Sequence, residues 1–123
     1  MILADTSVWI EHFRKGKAVL SKLLIDGLVL GHPMVLGELA CGNLSQRSKT
    51  LTLLMTLPQA VVASDDEILL LIESYKLSGK GIGWIDCALI ASAKLTRCRL
   101  WSLDKRLMDS AAFAGVQVYK IEN

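Results

Sequence analysis

The sequence predicts an α/β fold, a three-layer sandwich around a central, mainly parallel β-sheet of about five strands. Two observations predict it. Short apolar runs rich in Ile, Leu and Val recur along the chain, each cut off by a glycine or polar residue. Between them lie longer stretches whose apolar residues fall at helical spacing, and this alternation is the pattern of βα units. The chain has 123 residues, the size of one compact domain. No repeat, linker or low-complexity segment divides it, so residues 1–123 are expected to form a single domain.

Ile2-Leu3-Ala4 reads as a short buried strand closed by Asp5-Thr6-Ser7. Ser7 is a suitable N-cap for a helix carrying Val8, Trp9, Ile10 and Phe13, and Asp5 could cap the same helix. Leu20, Leu23 and Leu24 continue at helical spacing until Gly27. Leu28 to Leu30 is a second strand, running through Gly31-His32-Pro33 into a helix with Val35, Glu38 and Leu39 that stops near Gly42. Another helix carries Leu51, Leu54 and Met55 and ends before Pro58; Ala60 to Ala63 then reads as a third strand. Ser64 and Glu67 form a capping box for a helix with Ile68, Leu71, Ile72 and Tyr75 on one face. Gly79 to Gly83 is a loop. After it comes a helix, starting near Trp84 or Ile85, that is apolar nearly all round and therefore expected to be buried. Arg99 to Leu103 reads as a fourth strand, Lys105 to Phe113 as a helix, and Val116 to Tyr119 as a closing strand.

Composition narrows the function classes. Hydrophobic residues make up 52% of the chain and the mean hydropathy is +0.42, enough to bury a core. No apolar run approaches the roughly 18 residues of a membrane span. The apolar start is broken by Asp5 and has no basic stretch before it, so a signal peptide is not expected. Cys41, Cys87 and Cys98 are odd in number and lack zinc-site spacing, which reads as reduced, buried thiols in a cytoplasmic protein. The net charge of +2 permits a nucleic-acid partner without demanding one. The basic clusters around Arg14, Arg97 and Lys105 read individually as solvated surface. By charge, Arg14, Arg47 and Lys105 are candidate phosphate contacts.

The acids say more. In a parallel sheet, functional groups gather at the carboxyl ends of the strands, and the helices that follow begin on that same rim. Asp5 follows the first strand and Asp104 the fourth, while Glu38 and Asp86 lie early in their helices. All four should face one rim. Each has a structural alternative: Asp5 and Asp104 as N-caps, Asp86 as a dipole partner in a first turn. Glu38, flanked by Leu36, Leu39 and Ala40, is expected to be largely buried and to need a cation. Asp65 and Asp66 beside Ser64 read only as helix-start residues. Carboxylates gathered on one rim repel and raise one another's pKa, a conflict that Mg²⁺ or Mn²⁺ removes. Phosphodiester hydrolysis is the natural chemistry of such a site.

Four blocks, in order, resemble a known family: Met1 to Trp9 with its Asp5-Thr6-Ser7 turn, Val35-Leu36-Gly37-Glu38-Leu39, Ile85-Asp86-Cys87-Ala88-Leu89-Ile90-Ala91, and Leu100 to Arg106. They are similar to the PIN-domain family and, within it, to the VapC-type toxins of toxin–antitoxin pairs, over essentially the whole chain. The resemblance implies a Mg²⁺- or Mn²⁺-dependent endoribonuclease with Asp5, Glu38, Asp86 and Asp104 as metal-binding acids. It also implies that the Ser102 hydroxyl assists near the last acid, with Thr6 as a possible second helper. A homodimer, a cognate VapB-type antitoxin over the groove, and structured substrates such as transfer or ribosomal RNA are further implications.

Other features carry less. Gly79, Gly81 and Gly83 do not complete a dinucleotide fingerprint, because its sixth position falls at Trp84 and no strand precedes it; they read as a flexible connection. His12 and His32 lack a nucleophile partner or metal spacing and read as structural or surface residues. Trp9, Trp84 and Trp101 are expected in the core. Haloacid-dehalogenase-type phosphatases start similarly but need a second aspartate where Ser7 stands, and a receiver domain needs an acidic pair near the start. A nuclease of RNA maturation and a non-catalytic nucleic-acid-binding domain stay open alternatives.

Overall fold

The computed structural model describes residues 1–121. Its elements in order are β1 (Ile2–Ala4), α1 (Thr6–Lys15), α2 (Ala18–Ile25), β2 (Val29–Leu30), α3 (Pro33–Ala40), α4 (Arg47–Thr56), α5 (Asp65–Tyr75), α6 (Trp84–Thr96), β3 (Arg99–Trp101) and α7 (Lys105–Phe113). The strands form a parallel sheet in the order β2-β1-β3, flanked by helices. One cluster of buried side chains draws on all three strands and every helix. At its centre lie Ile2, Leu3, Trp9, Ile90, Leu100 and Leu107, each no more than 1% exposed. Residues 87–93 of α6 are all buried, as an all-round apolar helix requires.

The sheet has three strands, not about five, and the reason lies in the hydrogen bonds. Gln59 bridges to Gly31 beyond β2, and Val118 bridges to Leu100 beyond β3, both in parallel, so five segments do lie side by side. Each outer pairing stops after one bridge. Gly31 donates to Pro58 O and Ala60 donates to Gly31 O, but His32 then turns the chain into α3 and leaves Val61 to Ala63 no ladder partner. Val61 N instead donates to Thr96 Oγ1 and Ala63 N to Ser92 Oγ. The run Ala60–Ala63 is therefore not a strand, and Val61 and Val62 are half exposed. Likewise Val116–Tyr119 contributes one bridge, and the strand expected to reach Leu103 ends at Trp101.

Capping explains where several helices begin. Asp5, not Ser7, is the N-cap of α1, accepting from the backbone N–H groups of Ser7 and Val8. Ser64 and Glu67 form the expected capping box on α5. His32 is buried at 2% exposure; its Nδ1 accepts from Met34 N to cap α3 and its Nε2 pairs with Ser92 Oγ at 2.9 Å. Since Nδ1 accepts, the proton sits on Nε2, and burial lowers the pKa of this neutral ring. Trp9 and Trp101 are in the core, but Trp84 is 40% exposed, because the first turn of α6 projects beyond the buried stretch. Cys87 and Cys98 are buried thiols, whereas Cys41 is exposed at the end of α3. No helix of the described residues is long and apolar enough to cross a membrane.

Candidate active site

Strand register builds the first part of the site. β1 and β3 pair with Ala4 opposite Trp101, so Asp5 and Ser102 leave the sheet side by side at its carboxyl edge. Asp5 N donates to Trp101 O at 2.9 Å, carrying the pairing one step past β1. Ser102 Oγ donates to Asp5 Oδ2 at 2.8 Å and accepts from Asp104 N at 2.9 Å. Ser7 Oγ donates to Asp5 Oδ1 and accepts from Leu103 N at 3.0 Å. The two serine hydroxyls stand 3.4 Å apart. Each has spent its single proton on Asp5, so the carboxylate, rather than any serine–serine bond, holds them together. Asp104 caps α7, accepting from Arg106 N at 2.9 Å and Leu107 N at 3.5 Å.

The rest of the site comes from helices. Glu38 is on α3 and accepts from Thr6 Oγ1 at 2.6 Å, which draws it to the start of α1. It is exposed rather than buried, because Val35 and Leu39 take the core-facing side of α3 and turn Glu38 outward. Asp86 lies in the first turn of α6 and accepts from Gly83 N at 3.2 Å.

Electrostatics link these carboxylates. Burial raises the pKa of Asp5 above its ordinary 3.8; hydrogen bonds from Ser7, Ser102 and Val8 work against that rise, and the charge of Asp86 adds to it. Burial also raises Asp86; its bond from Gly83 opposes the rise, Asp104 and Glu38 reinforce it, and Arg106 lowers it. Asp86 is thus raised by Asp104 and Glu38 and itself raises Asp5, linking the four acids that the sequence pattern places on one rim. Their side chains do not yet close on a point: among the described residues no three acidic, histidine or cysteine side chains form a ready-made cage. An all-oxygen set of mutually repelling carboxylates still suits a hard divalent cation, since Mg²⁺ keeps several of its own waters and needs few protein ligands.

A profile of the PIN domain matches residues 2–114. The chain belongs to the PIN-domain family. It is also 46% identical, over 117 residues and 94% of each chain, to a protein named Ribonuclease VapC32 from two strains of Mycobacterium tuberculosis, CDC 1551 / Oshkosh and H37Rv. The matched span runs from β1 through α7, so it includes the positions of Asp5, Glu38, Asp86 and Asp104.

The basic residues named from sequence are placed less favourably. Arg47 donates to Ala40 O and to Gly42 O at 3.2 Å, closing the end of α3. Lys105 extends along α7 to Asp109 at 2.7 Å. Arg14 pairs with Glu11 at 3.8 Å and lines a groove with Glu38, Ile10 and Phe13. Two residues escaped the sequence reading. Ser7 looked like a cap, and only its bond to Leu103 N, far along the chain, reveals that it ties Asp5 to the loop after β3. Arg106, neighbour of the expected Lys105, is the cation whose charge reaches Asp86 and whose Nε lies 3.9 Å from Asp104.

Proposed function

We propose that this PIN domain is a Mg²⁺- or Mn²⁺-dependent endoribonuclease, the toxin of a VapBC-type pair, with Asp5, Glu38, Asp86 and Asp104 as its cation ligands. The observation that carries the reading is the charge coupling of Asp86 to each of the other three acids, although they come from separate parts of the chain. The name of the mycobacterial relatives supports the ribonuclease activity.

When bound, the cation supplies an activated water and neutralises charge on the phosphate during in-line displacement. The chain's own groups prepare for it. Ser7 and Ser102 fix the rotation of the Asp5 carboxylate, and Thr6 holds Glu38 toward the same rim. Asp5 and Asp86, both raised by burial, must lose protons to become ligands, so cation uptake strengthens as pH rises through their range.

Structured RNA, such as transfer or ribosomal RNA, is the substrate class we assign. The groove beside Glu38 joins Arg14 to the half-exposed Ile10 and Phe13, which suits a VapB-type antitoxin segment. A second apolar face, with Leu70 and Leu95 exposed between α5 and α6, suits a homodimer contact. Three unpaired cysteines accord with a cytoplasmic location. The test is incubation of the purified protein with total cellular RNA in Mg²⁺ or Mn²⁺, beside EDTA and an Asp5→Asn control. Discrete fragments are expected only with cation and intact Asp5. Failure to cut RNA while binding Mn²⁺ would favour a non-catalytic binding domain.

A further inference from the structure

Arg106 lies at the Asp104 end of the four acids, as Arg14 lies in the groove at Glu38. The Arg106 side chain is 70% exposed, and its Nε lies 3.9 Å from Asp104 Oδ1, beyond hydrogen-bond range. Among the described residues its guanidinium donates no hydrogen bond, whereas Lys105 is held by Asp109 and Arg47 by the carbonyls at the end of α3. Arg106 nevertheless stays beside the Asp104 carboxylate at the start of its own helix. The guanidinium is therefore beside the acids without being consumed by them.

The glycine loop before α6 explains why it lies there. Gly81 has φ +80°, and a methyl group added to it would sit 3.0 Å from both Cδ and Nη1 of Arg106. The bare backbone of Gly81 is thus a seat for the arginine stem. Gly79 has a similar φ of +74° but nothing within 4 Å of an added methyl group. Two residues past Gly81, Gly83 N holds Asp86, so one loop orients both the acid and the cation.

A phosphodiester approaching these acids brings negative charge to a negative rim. It needs a cationic donor that the acids leave free, and a planar guanidinium suits phosphate oxygens. We propose that Arg106, seated on Gly81, binds the substrate phosphate backbone at the cleavage site. This deepens the ribonuclease reading and rests on it.

The test uses an RNA that the wild-type protein cuts. Arg106→Ala should raise KM by about tenfold, the order expected for a lost phosphate contact, with a smaller change in kcat. RNA binding, measured by fluorescence anisotropy in an Asp5→Asn background so that nothing is cut, should lose about 0.7–0.9 from the slope of log affinity against log salt. Arg106→Lys should restore the slope and only part of KM, because it keeps the charge but not the fork. Gly81→Ala should raise KM as Arg106→Ala does, while Gly79→Ala, with similar backbone strain but no contact to the arginine, should not. A wild-type protein that cuts no RNA would remove the ribonuclease reading itself. Cleavage by the wild type with an unchanged KM and salt slope in Arg106→Ala would overturn this inference alone. So would a changed Mn²⁺ affinity with unaltered RNA binding, which would make Arg106 only a counter-ion for Asp104.

Discussion

Asp5 accepts four hydrogen bonds spread over both its oxygens and Asp104 accepts two, whereas Glu38 and Asp86 accept one each among the described residues. Asp5 directly follows β1, where pairing with β3 fixes its position, and Asp104 lies past the end of β3 as the N-cap of α7. The second pair projects from helices, with Glu38 exposed and Asp86 half-buried. Their difference teaches how such a site tolerates its own charge. One half is organised by the fold and has its burial partly offset by donors. The other half has one donor on each carboxylate, so in the proposed cation site most of the compensation for its charge would come from the cation.

That contrast breaks most sharply at Ser7. Ser7→Ala removes a donor from the buried Asp5 carboxylate and leaves Leu103 N–H to solvent, and should cost about 1–3 kcal/mol of stability, mostly through the lost bond to the carboxylate, read from denaturant unfolding. Cleavage should fall about 10- to 100-fold, as when a supporting shell around metal ligands is cut. Glu38→Gln, made on the open half, should lose cleavage to at least a comparable degree yet shift stability by no more than about 0.5 kcal/mol, as exposed substitutions do. Equal stability losses in both variants would erase the distinction between the halves.

The smallest effect is in pH. Asp5 and Asp86 are both raised above the ordinary 3.8 by burial, so the folded state holds their protons more tightly than the unfolded chain. Their contribution to stability is full below that ordinary value and is lost as pH rises through their raised folded values. His32, whose pKa is lowered, acts in the opposite sense, losing its contribution as pH falls through its folded value. It cancels when two proteins that both contain it are compared. In EDTA, the Tm of an Asp5→Asn/Asp86→Asn variant relative to wild type should therefore climb from pH 4 to pH 7. A pH-independent difference would contradict the assignment of burial as the cause.

Much of the site could be read from sequence because strand ends are visible there. Asp5 directly follows β1 and Asp86 lies in the first turn of α6, as the alternation of elements suggests, whereas Glu38 sits in the second turn of α3 rather than early in its helix, and Asp104 lies past the end of β3. What stayed hidden depends on contacts between distant residues. Asp5 and Ser7 are equally good N-caps locally, and the choice is made by Leu103 N. Arg106 and Lys105 are alike in composition, but adjacent helix positions point about 100° apart, and only Arg106 faces the loop of Gly81. The burial expected for Glu38 failed because the apolar neighbours of a residue on a short helix do not fix which side turns inward. The third and fifth strands shrank to bridges because apolar runs such as Ala60–Ala63 report hydrophobicity, while a strand also needs an unspent ladder beside it.

In the proposed site, four acids from separate elements share one cation. Calorimetric titration of Mn²⁺ into the wild type, Asp5→Asn, Glu38→Gln, Asp86→Asn and Asp104→Asn tests that sharing without reference to any RNA. A single class of binding that every substitution weakens, with Asp86→Asn among the strongest losses, is the predicted result. Mn²⁺ binding that survives unchanged in Asp5→Asn and Asp86→Asn would contradict a shared site.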